Sequence, residues 1–211
     1  TYDFAIDGMY ITVAYSLTGG NILKWYRNEF AFEEKNIANQ NGTNVYDVIL
    51  ESLPQKPSKL LVLPYFDSEI TGAIIGLRLS TTKEEILMAL LEGVAFEMRL
   101  NLDILEKSGI IIHELRAIGG GGKSRVWTQL KANVLNKPIT TVTVTEAGCY
   151  GIAMLAKSAI EGIPLKTIIS EWVKTADTIV PEPEFASYYA QKFQTYIKLY
   201  PALKSIQFNQ T

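Results

Sequence analysis

Gly119-Gly120-Gly121-Gly122-Lys123-Ser124-Arg125-Val126-Trp127-Thr128-Gln129-Leu130-Lys131-Ala132-Asn133-Val134-Leu135 is the stretch on which the reading of this 211-residue chain turns. Residues 110–118 before it read as a strand, and the residues after the glycines read as a helix running to about Asn136. The first turn of a helix presents backbone N–H groups without intrahelical partners and the positive end of a dipole. Glycines there let another backbone or a flat ligand come within contact distance. A second, shorter cluster, Thr18-Gly19-Gly20, also stands between extended residues and a helix. Two such ends meeting at one cleft would make an anion and nucleotide site; used singly, such glycines also serve tight turns and close packing.

The same run fits a loosened phosphate-loop pattern, with Ala117 preceding Gly122-Lys123-Ser124 at the spacing that motif uses. That alternative puts Lys123 on a phosphate and Ser124 on magnesium. It requires an acidic residue at the end of a continuously apolar strand, and 142–146 (Val-Thr-Val-Thr-Glu) alternates instead.

Outward from this centre, strands and helices intermingle. Residues 2–17 alternate around Asp7-Gly8, a hairpin signal. A helix follows Gly20, carrying Ile22, Leu23, Trp25, Tyr26 and Phe30; residues 31–44 are polar and Asn-rich and read as a loop; 45–53 read as a short helix stopped by Pro54. Residues 59–66 and 73–79 read as strands. The strongest element is a helix over 83–107, roughly 38 Å long. Thr82 and Glu85 offer a capping box, and Leu87, Leu91, Val94, Met98, Leu102 and Leu105 recur at helical spacing. Residues 138–144 read as a strand. The helix opened by Glu146 carries Gly148, Gly151, Ala153, Ala156 and Ala159, small enough to lie close to a sheet. Residues 167–175 read as helical. After Pro181 and Pro183 a terminal helix carries Tyr188, Tyr189, Phe193, Tyr196 and Tyr200, whose spacing suits docking on the body of the domain. The sum is one α/β domain with helices on both sheet faces.

Composition narrows the function classes. Twenty basic and 22 acidic residues leave a formal charge of −2, with no basic excess to neutralise a nucleic-acid backbone. No apolar run reaches the ~18 residues of a membrane span. The single Cys149 allows no internal disulfide, fits a reducing, cytoplasmic location, and reads as a small buried hydrophobe. His113, the only histidine, has no evident orienting partner for acid–base work, and one His with one Cys cannot build a zinc site. The chain opens at Thr1 without Met, inside apparent strand, as a fragment would.

The glycine-rich stretch resembles the pattern GGGAKSxxWxQxxADVL of the FGGY family of carbohydrate kinases. Residues 72–92, with the helix Leu90-Leu91-Glu92-Gly93-Val94-Ala95, resemble that family's C-terminal signature. Leu63-Pro64-Tyr65-Phe66, the 16–25 segment, Thr145-Glu146-Ala147-Gly148 and the Tyr-rich tail fit too, so nearly the whole chain is covered. Lys123-Ser124-x-x-Trp127-x-Gln129 is closer to the xylulokinase branch than to the glycerol kinase branch, and gluconate kinases resemble it as well. The loop after Phe66, where Asp67 follows at once, is shorter than the family's.

This resemblance implies an actin-like, ribonuclease H-like ATPase domain with a mixed central sheet. It makes residues 1–211 the nucleotide-binding C-terminal domain, with 185–211 a docked terminal helix and the N-terminal sugar-binding, catalytic domain absent. It implies a sugar kinase using ATP and Mg2+ on a small sugar or polyol, xylulose first and gluconate next, and leaves a homodimer open. By motif position, Gly19, Gly20 and Lys24 at the first glycine-opened helix, and Gly119, Gly120, Gly121 and Ser124 at the second, would bind the nucleotide. No catalytic or metal residue is implied within 1–211. The chain alone is then expected to bind nucleotide weakly and to be inactive. A phosphate-loop nucleotidase and a non-catalytic actin-like module remain the alternatives.

Overall fold

The computed structural model describes residues 2–16, 18–66, 72–144 and 146–206. The hairpin at Asp7-Gly8 forms: β1 (Tyr2–Asp3) pairs antiparallel with β2 (Tyr10–Ile11), and Gly8 takes φ 73°. Its strands are shorter than the alternation over 2–17 suggests, and Tyr2, Tyr10 and Tyr15 are exposed. Thr1, Leu17 and Thr145 lie outside the described residues.

Helix α1 (Asn21–Glu29) starts directly after Gly20 and buries Ile22, Leu23 and Tyr26. The loop expected over 31–44 is instead largely helix α2 (Phe32–Asn41). It was illegible as a helix because charge holds it in place of an apolar stripe. Glu33 and Glu34 sit in its first turn, where acidic groups complement the dipole, and both reach Lys83, at 2.8 and 2.9 Å. Helix α3 (Val45–Glu51) is capped by Asn44, whose side chain accepts the Tyr46 N–H.

Strands β3 (Leu61–Leu63) and β4 (Ala73–Ile75) pair antiparallel, each a fragment of the longer strand expected. The short loop at Asp67 lies in 67–71, outside the described residues. The long helix α4 (Lys83–Lys107) has the expected bounds. Thr82 Oγ1 accepts the Glu85 N–H, while the Glu85 carboxylate accepts the Lys59 N–H, so only half of the capping box forms. A Cβ at Gly93 would stand 2.8 Å from the Val62 carbonyl, so glycine is what lets α4 cross β3 at backbone contact.

The second half holds the mixed sheet. Strand β5 (Leu115–Ala117) leads into a 3-10 turn (Gly120–Gly122) and then α5 (Arg125–Leu135). Strand β6 (Ile139–Val142) runs parallel to β5. Helices α6 (Ala147–Glu161) and α7 (Leu165–Trp172) follow, then β7 (Thr175–Ile179), antiparallel to β6. Helix α7 stops earlier than the expected 167–175, and β7 was not anticipated. Its β-branched residues pair across the ladder, with the Thr140 and Thr178 hydroxyls 2.9 Å apart. Among the described residues the strands form three sheets, of two, two and three strands. Helix α5, backed by Met98 and Leu102 of α4, covers β6 and β7 through Ala132 and Leu135.

The small-residue helix α6 does not lie on a sheet as its composition suggests. None of its residues is buried, Ile160 is 83% exposed, and its neighbour is α7, with Tyr150 against Trp172.

Helix α8 (Pro183–Tyr196) and α9 (Leu199–Leu203) close the main core. Pro183 occupies the first helical position, where its missing N–H costs nothing. The Tyr-rich face is anchored by two carboxylates of α4. Glu92 accepts the Tyr189 O–H and pairs with Lys192; Glu97 accepts the Tyr65 and Tyr196 O–H groups. Arg99 ties three helices together: it donates to the Val134 carbonyl and lies over the Phe193 ring.

Candidate nucleotide site

The first glycine cluster opens α1. Gly20 is its N-cap at φ −66°, ψ −15°, and no side chain caps the helix. A Cβ added at Gly19 or Gly20 would meet nothing within 4 Å, and neither residue takes a positive φ. Nothing among the described residues therefore demands glycine there, and a side chain is missing where one would have room at the start of α1. Lys24, one turn on, is exposed and borders a cavity of about 360 Å³ with Thr18, Asn21, Trp25, Asn28 and Phe66.

The second cluster is differently built. The helix expected to open at the glycines begins only at Arg125, and Gly120–Gly122 form a separate 3-10 turn. The reason lies in Ser124: its hydroxyl accepts the Trp127 N–H at 3.3 Å, which fixes the helix start. Gly119 has φ 73° and ψ −168°, a region essentially closed to residues with a Cβ. A Cβ at Gly122 would lie 3.1–3.3 Å from Ala117, so that glycine serves close packing on β5. Gly120 has neither constraint: its φ is not positive and a Cβ would meet nothing.

Two bonds close the turn, Gly122 N–H to Gly119 O and Lys123 N–H to Gly120 O. The amides of Gly120 and Gly121 precede them, as the first amides of any such turn do. This geometry speaks against the phosphate-loop alternative. The amides of Gly122 and Lys123, which a phosphate loop would turn to its ligand, are consumed inside the turn. Lys123 is exposed beside a crevice of about 40 Å³ bounded by Ala117, Ile118, Val142 and Val144.

The two glycine clusters thus line different cavities. Of the remaining candidates, His113 is exposed on the segment before β5, and Cys149 is exposed on α6, not buried as expected, because among the described residues α6 packs chiefly on α7. Among the described residues no cluster of three or more His, Cys, Asp or Glu could hold a metal ion, and no helix is long and apolar enough to cross a membrane.

One residue of this region was not singled out from the sequence. Lys131 is 9% exposed; its ammonium donates to the Gly121 carbonyl at 2.8 Å and lies 4.1 Å from the centroid of the Trp127 ring. Burial pushes its pKa down to about 8. The available signal was its place four residues after Trp127, on the same helix face, directly behind a glycine run.

A mixed α/β domain with a glycine-opened helix and a glycine turn set before a second helix has the fold of the actin-like ATPase class. The chain belongs to the FGGY family of carbohydrate kinases: the profile of the family's C-terminal domain matches residues 2–160. It is 27% identical over 187 residues to the xylulose kinase of Staphylococcus xylosus, covering 88% of this chain and 39% of that protein. It is 29% identical over 199 residues to the gluconokinase of Bacillus licheniformis, covering 89% and 39%. The crystal structure of xylulose kinase from Rhodospirillum rubrum superposes with a TM-score of 0.72 at 27% identity, over 89% of this chain and 38% of that one. The chain spans about two-fifths of the length of these relatives.

Proposed function

We propose that residues 1–211 are the nucleotide-binding C-terminal domain of an ATP-dependent, cytoplasmic carbohydrate kinase, acting with an N-terminal domain that holds the sugar and the catalytic base. The observation that carries this reading is at Gly19, Gly20 and Gly120. All three lack a side chain where the fold neither needs the conformational freedom nor the room, which suits a surface kept clear for a flat ligand. The backbone of Gly20 and the exposed Lys24 would face one part of an adenosine nucleotide, and the Gly119–Gly121 turn another.

Bound ATP supplies the γ-phosphoryl group, carried as its Mg2+ complex, for transfer to an alcohol. The work of this chain is positional. The α1 amides present a partial positive charge to an anion, and the glycine turn leaves room for the nucleoside. Neither contributes an acid or base to the reacting atoms. Closure of the two domains would exclude water from the reacting groups.

Xylulose is the first substrate to test and gluconate the second, on the relatives' names. A coupled ADP-release screen of the full-length polypeptide against pentuloses, polyols and aldonates decides. Turnover of one class is the expected result; ATP hydrolysis indifferent to every sugar contradicts the reading. Residues 1–211 alone should show no sugar phosphorylation.

A further inference from the structure

Four consecutive glycines have the weakest conformational preference a chain can have. A turn that presents amides at a defined place must therefore be held by something else. The two internal bonds hold the amides of Gly122 and Lys123 and occupy the carbonyls of Gly119 and Gly120. The Gly121 carbonyl is not part of that pattern. Its partner is Lys131, reaching from one and a half turns into α5.

The arrangement is tight. A Cβ at Gly121 would stand 3.3 Å from the Lys131 ammonium and 3.9 Å from Cζ3 of Trp127. The turn, the ammonium and the indole are thus layered in contact. The ring beneath the cation supplies an attractive face, and Trp127 is itself 5% exposed in the main core. Its first-turn position on α5 is fixed by the Ser124 cap.

This layer is costly. A buried ammonium without a carboxylate loses hydration that one carbonyl and one ring do not fully replace, and no ion pair of Lys131 is formed among the described residues. An apolar side chain of similar length would fill the same space over Trp127 at lower cost. A residue that weakens the fold at a position behind a ligand-facing turn is best explained by what it does to the turn.

We propose that Lys131 is the positioning residue of the glycine turn: by holding the Gly121 carbonyl against the Trp127 face, it fixes the peptide unit that joins Gly121 to Gly122 and so seats on α5 the whole turn whose Gly120 and Gly121 amides meet the nucleotide. The second half of this statement rests on the nucleotide-site reading above; the first half does not.

The test compares wild type, Lys131→Met, Lys131→Arg and Gly120→Val in three measurements: thermal unfolding, backbone amide dynamics of residues 119–123 by 15N NMR without ligand, and titration with MgADP. Lys131→Met is expected to keep or raise the melting temperature, to raise the mobility and amide exchange of 119–123, and to weaken MgADP binding ~10-fold, the scale of a lost charge-assisted hydrogen bond. Lys131→Arg, which retains a donor over the ring, is expected to restore order in the turn and most of the affinity. Unchanged dynamics of 119–123 in a folded Lys131→Met protein overturns the proposal, as does affinity lost only in step with melting temperature. Should Lys131→Met not fold, unaltered dynamics and affinity in Lys131→Ala decide against it in the same way. A turn loosened by Lys131→Met with MgADP affinity unmoved by both Lys131→Met and Gly120→Val would leave Lys131 as its anchor and instead sink the nucleotide-site reading.

Discussion

Glu92 and Lys192 form an ion pair sealed inside the protein, their side chains 1% and 8% exposed. It joins the middle of α4 to the tyrosine-lined helix α8, and both partners make further hydrogen bonds. Glu92 also accepts the Ser58 N–H and the Tyr189 O–H, while Lys192 also donates to the Ser58 carbonyl. Burial pushes the Glu92 carboxyl upward, against the pull of Lys192 and of those hydrogen bonds.

Breaking this pair from one side leaves an uncompensated buried charge. Lys192→Met is expected to destabilise the fold by about 3–5 kcal/mol, whereas Glu92→Leu with Lys192→Met should recover most of that loss. Urea unfolding of the single and double variants measures it. A single variant as stable as wild type would mean that α8 is not held this way.

The glycines of the turn should separate by role. Gly122→Ala pushes a methyl against Ala117 and should cost about 1–3 kcal/mol. Gly120→Ala meets nothing and should stay within about 0.5 kcal/mol of wild type. Gly120→Val should fold yet bind nucleotide more weakly. Equal stability loss in Gly120→Ala and Gly122→Ala would contradict the geometry.

Lys123 distinguishes this turn from a phosphate loop. It is exposed, and its own N–H is tied to Gly120. Lys123→Ala should change nucleotide affinity less than ~3-fold, well under the tenfold that corresponds to ~1.4 kcal/mol. Abolished binding would restore the phosphate-loop alternative.

The pH dependence of stability carries the mark of Lys131. Its folded pKa, about 8, lies below the ordinary lysine value of ~10.4. Between those values the unfolded chain binds more protons, so the Lys131 contribution rises with pH across that window and is flat below it. The difference in unfolding free energy between wild type and Lys131→Met should move in wild type's favour from pH 8 to 10. Tyr189 and Tyr196 act oppositely: burial and the Glu92 and Glu97 carboxylates raise their pKa values. Their stabilisation is present below ~10 and lost as pH climbs beyond it, so stability should fall again in strong alkali.

Long, strongly periodic elements were legible in the sequence. The long helix α4 follows from its apolar repeat and the Thr82 cap, and the hairpin follows from Asp7-Gly8. Helix α2 was missed because ion pairs with Lys83 hold it, a contact 50 residues away in sequence. Strand β7 was missed because four of its five residues are exposed and its order comes from pairing with β6. The candidate site was legible only as glycines before helices. The differing roles of those glycines depend on whether Ala117, Lys131 or open space lies opposite, and no local pattern encodes that. Lys131 itself looked like an ordinary helix residue.

The central claim is that the α1 N-terminus and the glycine turn, which line different cavities here, serve one nucleotide. Titration of the 15N-labelled protein with MgADP tests it most directly. The amides of Gly19, Gly20, Gly120 and Gly121 should shift together and follow a single dissociation constant. Shifts confined to one cluster, or two clusters titrating with different constants, would contradict it.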